Sequence, residues 1–274
     1  MRANNTAMTQ KEKPWPVLYL GAGLPPVEVL YCDTDLLILN KPAGLLCVPD
    51  RHQSERPNLM QLLHAAVKKP AGWATELRLD YIANAHRLDF DTSGVFVLAR
   101  SRAALASLVR QFRDRSVKKS YVALVRGGLR ESPLVIDRPI RPDPRHPGRA
   151  VISERGRPSV SRAETIEEFR GVSLVRVWPE TGRLHQVRVH LKSVDCPIVC
   201  DASYGSPAPL MLSEFKRRYN VPFEGERPLI ARQALHAESI ELQHPARDEA
   251  LRIEAPMPRD MAVTIKQLAK HARV

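Results

Sequence analysis

The spacing of apolar residues changes several times along this chain, and each change marks an element. VEVLYCDTDLLILNKPAG, residues 27–44, reads as two strands joined by the polar turn Asp33-Thr34-Asp35, because two apolar runs flank a turn cluster. The second run meets Asn40-Lys41-Pro42, where proline ends ladder pairing. Leu59, Leu62, Leu63, Ala66 and Val67 then fall at i, i+3, i+4, i+7 and i+8, the period of an amphipathic helix. Residues 95–99 are an unbroken apolar run after a polar cluster, the pattern of a buried strand. In SRAALASLVRQFRDR, Ser101 is a natural N-cap, and Leu105, Leu108, Val109 and Phe112 make the apolar face of a second helix. SYVALVRG predicts a strand, as do residues 160–169 and 172–177. Val187, Leu191 and Val194 lie at i, i+4 and i+7 and predict a helix from about Gln186, and a last helix is expected near residues 260–271.

Strands outnumber helices and often follow one another, so the expected class is α+β with a mostly antiparallel sheet. Residues 1–26, polar over their first fourteen positions, are expected to be disordered or extended, and residues 27–274 to form one catalytic domain. Residues 138–157 are rich in proline and carry Arg138, Arg141, Arg145, Arg149, Arg155 and Arg157, which suggests an extended loop or ribbon.

Charge narrows the class of partner. Lys plus Arg is 42 and Asp plus Glu is 30, a net +12 that points to a polyanion, most often nucleic acid. No apolar run approaches the ~20 residues of a membrane span, and the N-terminus has no apolar signal region, so a cytoplasmic protein without a membrane partner is expected. The four cysteines, Cys32, Cys47, Cys196 and Cys200, are too few for a disulfide framework. Cys196 and Cys200 lack a second ligand pair, so no metal site is expected there. Neither GxGxxG nor GxxxxGK[ST] occurs, which argues against a nucleotide cofactor.

Three polar clusters could carry chemistry. His86-Arg87-Leu88-Asp89-Phe90-Asp91-Thr92-Ser93-Gly94 precedes the buried strand. An aspartate held ionised there, beside a guanidinium and at the edge of a core, could be a nucleophile or base. The competing reading is a plain polar turn. Asp89 and Asp91 could also share Mg²⁺ in an RNA hydrolase, although no comparable third carboxylate is evident. The second cluster, Glu180 to Leu191, offers Arg183 in a turn, His185 beside it, and Arg188 one position from the apolar stripe of the helix. The third is basic with aromatics: Arg110, Phe112, Arg113, Arg115, Lys118, Lys119 and Tyr121. Such a set suits phosphates and unpaired bases, and also suits a non-catalytic RNA-binding factor.

HRLDFDTSG resembles HRLDxxTSG, the signature of pseudouridine synthases of the RluA-type branch. Asn40–Leu45 resembles that family's NKPxGL, Lys118–Ala123 its KxYxA, and TGRLHQVRVHL its TGRTHQIRVHL. Pro197-Ile198, Asp201, Tyr204-Gly205 and Leu235-His236-Ala237 follow in the family's order, so the resemblance spans roughly residues 27–256. It implies a mixed, mainly antiparallel sheet with flanking helices and a central active-site cleft. It implies an isomerase that converts a specific uridine to pseudouridine in structured ribosomal or transfer RNA; no cofactor is expected, and the protein is expected to act as a monomer. By position, Asp89 matches the catalytic aspartate, Tyr121 the tyrosine that packs on the target uracil, and Arg188 the basic partner of the aspartate, with Arg183 the lesser candidate. Arg87 matches the arginine that holds flipped-out RNA, and His86, Arg183 and His185 are expected to touch substrate. Three positions depart from the pattern: Leu184 replaces a hydroxyl residue, and Asp195 and Cys200 replace glycines.

Overall fold

The computed structural model describes residues 15–49, 56–69 and 71–274. The expected disorder of residues 1–14 lies outside them. Residues 15–26 turn back at positions 21–24 and are anchored: Leu18 is fully buried and bridges Val27 in antiparallel fashion. Burial of that one side chain ties the segment to the core.

The chain order is β1 (Glu28–Cys32), β2 (Leu36–Lys41), α1 (Leu59–Lys68), α2 (Gly72–Glu76), β3 (Ala83–Asn84), β4 (Ser93–Ala99), α3 (Arg102–Arg113) and β5 (Lys118–Arg126). There follow β6 (Leu134–Asp137), β7 (Ile140–Pro142), β8 (Ala150–Ile152), β9 (Val160–Phe169), β10 (Val172–Pro179), α4 (Gln186–Ser193), β11 (Leu235–Gln243), β12 (Ala250–Glu254) and α5 (Arg259–His271). Among the described residues ten strands make one sheet, with β1-β2-β4-β11-β5-β10-β9-β6 side by side. β12 also pairs with β11, and β3 with β4. Only the β4–β11 pairing is parallel, so the sheet is mixed and mainly antiparallel.

Local chemistry explains the elements. Asn58 caps α1 by accepting from Gln61 N–H, and Ser101 caps α3 by accepting from Ala104 N–H. On α3 the buried positions are Ala104 and Leu108, whereas Val109, expected on the apolar face, is 48% exposed. The 138–157 stretch is a ribbon: β7 and β8 pair as a separate two-stranded sheet. Ile140 and Ala150 pack on Val189 of α4, so the ribbon leans on that helix.

The junction of β4 with β11 organises the centre. Gly94 pairs with Ala237 at φ +115°, and a Cβ there would sit 2.1 Å from the Ala237 carbonyl oxygen. Only glycine allows the backbones to meet so closely. Ala237 pairs in turn with Tyr121 of β5, and Tyr121 with Val177 of β10. One row across the sheet therefore runs from the HRLDFDTSG turn to Tyr121.

Candidate active site

The turn from Leu88 to Thr92 is clamped through its backbone. Lys41 Nζ, fully buried at the end of β2, donates to the carbonyls of Leu45 at 2.7 Å, Pro42 at 2.8 Å and Phe90 at 3.2 Å. Gly44 N–H donates to the same Phe90 carbonyl at 3.0 Å. Arg232 donates to the Asp91 carbonyl at 3.1 Å while a two-pronged contact with Asp260, at 2.6 and 2.9 Å, orients it. Burial lowers the Lys41 pKa to about 8, against the pull of Cys47, Asp89 and Asp91. Its three carbonyl acceptors are what an ammonium needs in place of water.

The Asp89 carboxylate projects from this turn into a cleft of about 600 Å³ whose walls include Tyr121, Arg183, His185 and Arg188. Its side chain is 21% exposed. Arg188 Nη1 lies 3.0 Å from Asp89 Oδ2, so the pair expected from sequence is formed in the structure. Arg188 has a second and stronger partner. Its Nε and Nη2 each donate at 2.8 Å to the two oxygens of Asp201, which is 1% exposed. Two carboxylates thus share one guanidinium, and the fork geometry belongs to Asp201. Burial opposes charge on both groups. The mutual hydrogen bonds and attraction win, raising the Arg188 pKa and lowering that of Asp201, which also accepts from Ser203 and Tyr204 N–H.

Tyr204 extends the network. The Arg188 guanidinium sits 4.9 Å from the centre of its ring, a cation–π contact. Tyr204 Oη accepts from Ala150 N–H of the ribbon at 2.8 Å and lies 2.9 Å from His185 Nδ1. With Oη accepting from Ala150, its own proton points to Nδ1. The proton of a neutral His185 then sits on Nε2, 3.7 Å from Asp89 Oδ1. Burial lowers the His185 pKa, with Arg188 adding to the effect against the pull of Asp89 and Asp201, and so favours that neutral form. His185 itself is left-handed, φ +52°, at the start of α4. Asp195 and Cys200 also take positive φ, 62° and 60°, so both keep the turn geometry of the glycines they replace.

Tyr121 is half-buried in the cleft wall. Burial and the nearby Asp89 charge raise its phenol pKa, so it is a neutral platform with no anionic role at neutral pH.

Other expected contacts fall differently. His86 accepts from Val97 N–H through Nε2 at 2.9 Å and stacks on Phe112 at 4.9 Å. Burial, with help from Lys119, lowers its pKa to about 3. Its Nε2 is used by β4, so His86 is pinned to that strand while its ring still forms part of the cleft wall. Arg183 does not reach Asp89: its guanidinium donates to the Pro158 carbonyl at 3.1 and 3.3 Å near the rim. Arg87 is exposed at the mouth. Asp91 stands outside the cleft walls, and burial raises its pKa against the pull of Arg232 and Lys41. Among the described residues, the side chains that converge as a metal could require are Asp33, Asp35 and His244, in the β1–β2 turn and after β11. Asp89 and Asp91 form no such set. Lys41 and Asp201, quoted above only as motif letters, emerge as the supports of the site. Their roles depend on partners 49 and 13 positions away, which spacing does not reveal.

The match to known proteins agrees with this geometry. Residues 35–193 match the family model described as RNA pseudouridylate synthase. Ribosomal large subunit pseudouridine synthase D of Nitrosomonas europaea is 36% identical over 248 residues, which cover 89% of this chain and 65% of that protein. Dual-specificity RNA pseudouridine synthase RluA of Escherichia coli is 35% identical over 245 residues, 85% of this chain and 95% of that one. The solved structure of human RNA pseudouridylate synthase domain containing 4 superposes with a TM-score of 0.65 at 27% identity, covering 88% of this chain and 92% of that chain. The chain belongs to the RNA pseudouridylate synthase family.

Proposed function

We propose that this chain isomerises a specific uridine to pseudouridine in structured ribosomal or transfer RNA, with Asp89 as the catalytic carboxylate. One observation carries the reading. Asp89 is half-buried in a cleft opposite a neutral Tyr121 and is held by a guanidinium that Asp201 fixes from behind. In an RNA stack the glycosidic face is covered, so the uridine must be flipped out to meet such a carboxylate. The N1–C1′ bond then breaks, the uracil turns, a C5–C1′ bond forms, and the C5 proton is exchanged for one on N1. The reaction is redox-neutral.

In this reading Tyr121 packs on the uracil, and Arg188 holds and aims Asp89. Arg87 and Arg183 meet the backbone at the rim, and His185 offers an N–H beside the reacting carboxylate. The net charge of +12 supports phosphate contact. Four free, buried thiols suit a reducing compartment, which supports a cytoplasmic location. The protein acts as a monomer in this reading.

The test is transcriptome-wide pseudouridine mapping with and without the gene, repeated with Asp89→Asn in its place. One or a few uridines should lose modification in both the deletion and the variant. Unchanged maps would remove the proposal, and RNA cleavage in place of isomerisation would favour the hydrolase.

A further inference from the structure

A second groove, of about 710 Å³, opens beside the cleft, across the ends of the neighbouring strands β5, β10 and β9. Arg115, Lys119 and Thr181 belong to the walls of both cavities, so the two are continuous. Beyond them the groove is walled by Trp178 and Arg162. These residues are cross-strand partners on β10 and β9, and the guanidinium lies 5.8 Å from the centre of the indole.

The charges of this groove are unbalanced. Lys118 is paired with Glu241 at 2.7 Å, and Glu164 lies 3.8 Å from Arg176. Arg115, Lys119 and Arg162 have no carboxylate within ion-pair distance among the described residues, and Glu180 is the one acid left in the wall to oppose them. Lys119 is half-buried as well. Arg115 sits at φ +59° in the turn between α3 and β5, a left-handed conformation that costs free energy for a residue with a Cβ. Arg115 and Arg157 also lower the Arg183 pKa, after burial, so the junction gathers like charges. A fold gains nothing from holding unpaired cations together, whereas a phosphate backbone would neutralise them.

We propose that this groove binds the unpaired nucleotides next to the flipped uridine, with Arg115 and Lys119 on the connecting phosphates and a neighbouring base stacked on the Trp178–Arg162 platform. The inference rests on the RNA-isomerase reading and adds to it a specificity-determining subsite. Aromatic and guanidinium planes accept any base face, and an unpaired strand is what such a platform can hold. A duplex would keep its bases stacked on one another and leave Trp178 untouched.

The chain has three tryptophans, Trp15, Trp73 and Trp178, so Trp15→Phe with Trp73→Phe leaves Trp178 as the sole indole. That double variant is titrated with a stem–loop RNA carrying uridines in its loop, and with copies made abasic at the position before or after one uridine. Conversion to pseudouridine is measured in parallel. Trp178 emission should be quenched by the intact RNA, and one abasic copy should lose the quench. Trp178→Ala should weaken binding by roughly 5- to 150-fold, the range of one base–aromatic stack. Trp178→Phe should recover most of that, and Arg162→Ala should weaken binding without depending on the indole. Conversion with unchanged emission, and with Trp178→Ala and Arg162→Ala both within twofold of the parent, would overturn the subsite and leave the isomerase reading standing. Quenching without conversion would uphold the groove and count against the isomerase reading instead.

Discussion

The two walls of the cleft are built by opposite means. The Asp89 wall is held through its backbone: Lys41 and Gly44 grip the Phe90 carbonyl, Arg232 grips that of Asp91, and Gly94 lies against Ala237. The Arg188 wall is held through side chains. Asp201 takes the fork of Arg188, while Gln186 bonds Thr181, Val160 and Ser161. His190 bridges Ser161 and the Arg138 carbonyl. A carboxylate on a backbone-clamped turn is free to react, because little of the fold depends on it. A carboxylate inside a side-chain network is spent on structure. The contrast separates Asp89 from Asp201, although both touch the same arginine.

The sharpest way to break that contrast is Asp89→Asn. Turnover should fall by at least several orders of magnitude if Asp89 is the proposed reacting group, because more than one supporting hydrogen bond is then removed. RNA affinity should persist because phosphate contacts supply most of it. Melting should shift little, with the backbone clamps intact and Arg188 still paired to Asp201. Single-turnover pseudouridine formation beside a thermal melt reads both; a large melting shift would mean that Asp89 carries structure after all.

Asp201→Ala should show the reverse balance. It strands a buried guanidinium and leaves Ser203 and Tyr204 N–H without their acceptor, so a stability loss of ~3–5 kcal/mol is expected in denaturant unfolding. The Asp201 pKa is depressed in the folded state. Its contribution is therefore present above the ordinary carboxylate value and lost as pH falls through the folded one, so the variant should lack that share of acid unfolding. Activity should fall too, but through Arg188 losing its aim.

Much of this arrangement was legible in the sequence, and the gaps have physical causes. Helical period located α1, α3 and α4, each with an apolar face, and apolar runs located β1, β2, β4 and β5; the runs of β2 and β4 are unbroken because their two faces pack in two different clusters. β11 was missed as a strand although it lies at the centre of the sheet. A register shift between Ala237 and Ser239 breaks its two-residue alternation. α2, five residues long, is too short to show a period. In the HRLDFDTSG motif, the letters alone could not separate His86, whose Nε2 is bound to β4, from Asp89, whose carboxylate meets Arg188 in the cleft. A turn changes direction between them.

That separation predicts a pH effect smaller than the two above. His86 Nε2 can accept from Val97 N–H only while neutral. Its folded pKa, about 3, lies below the ordinary 6.5, so its contribution is complete above pH ~6.5 and is lost as pH falls toward 3. Burial lowers the pKa values of His185, His190 and His236 as well, so each adds to the loss below pH ~6.5. Stability of the parent should therefore decline from pH 6.5 downward. His86→Gln, which can still offer an acceptor, should make that decline shallower while leaving RNA affinity at pH 7 near the parent. A clear loss of affinity at pH 7 in a fully folded variant would return His86 to the substrate contacts.

The smallest effect concerns the arginines of the ribbon, which the sequence presents as equals and the structure does not. Arg145 is exposed at the β7–β8 turn, with Asp143 accepting from its backbone N–H and leaving the guanidinium to solvent. Arg149 donates to the Ser203 carbonyl at 3.3 Å, beside the turn that carries Asp201 and Tyr204. Arg141 is half-buried, with a buried Nε that has no partner. Arg145, unlike Arg141 and Arg149, is therefore placed to give up nothing when it meets a phosphate. Arg145→Ala should reduce the slope of log affinity against log salt by about one unit if it makes one phosphate contact, with no change in melting. Arg149→Ala should cost some stability as well, because it releases the loop against which α4 and the ribbon are braced. Equal slopes for Arg145→Ala and the parent, measured by filter binding from low to high salt, would show that the ribbon turns its tip away from RNA. Its service to the site would then be the Ala150 N–H that it lends to Tyr204.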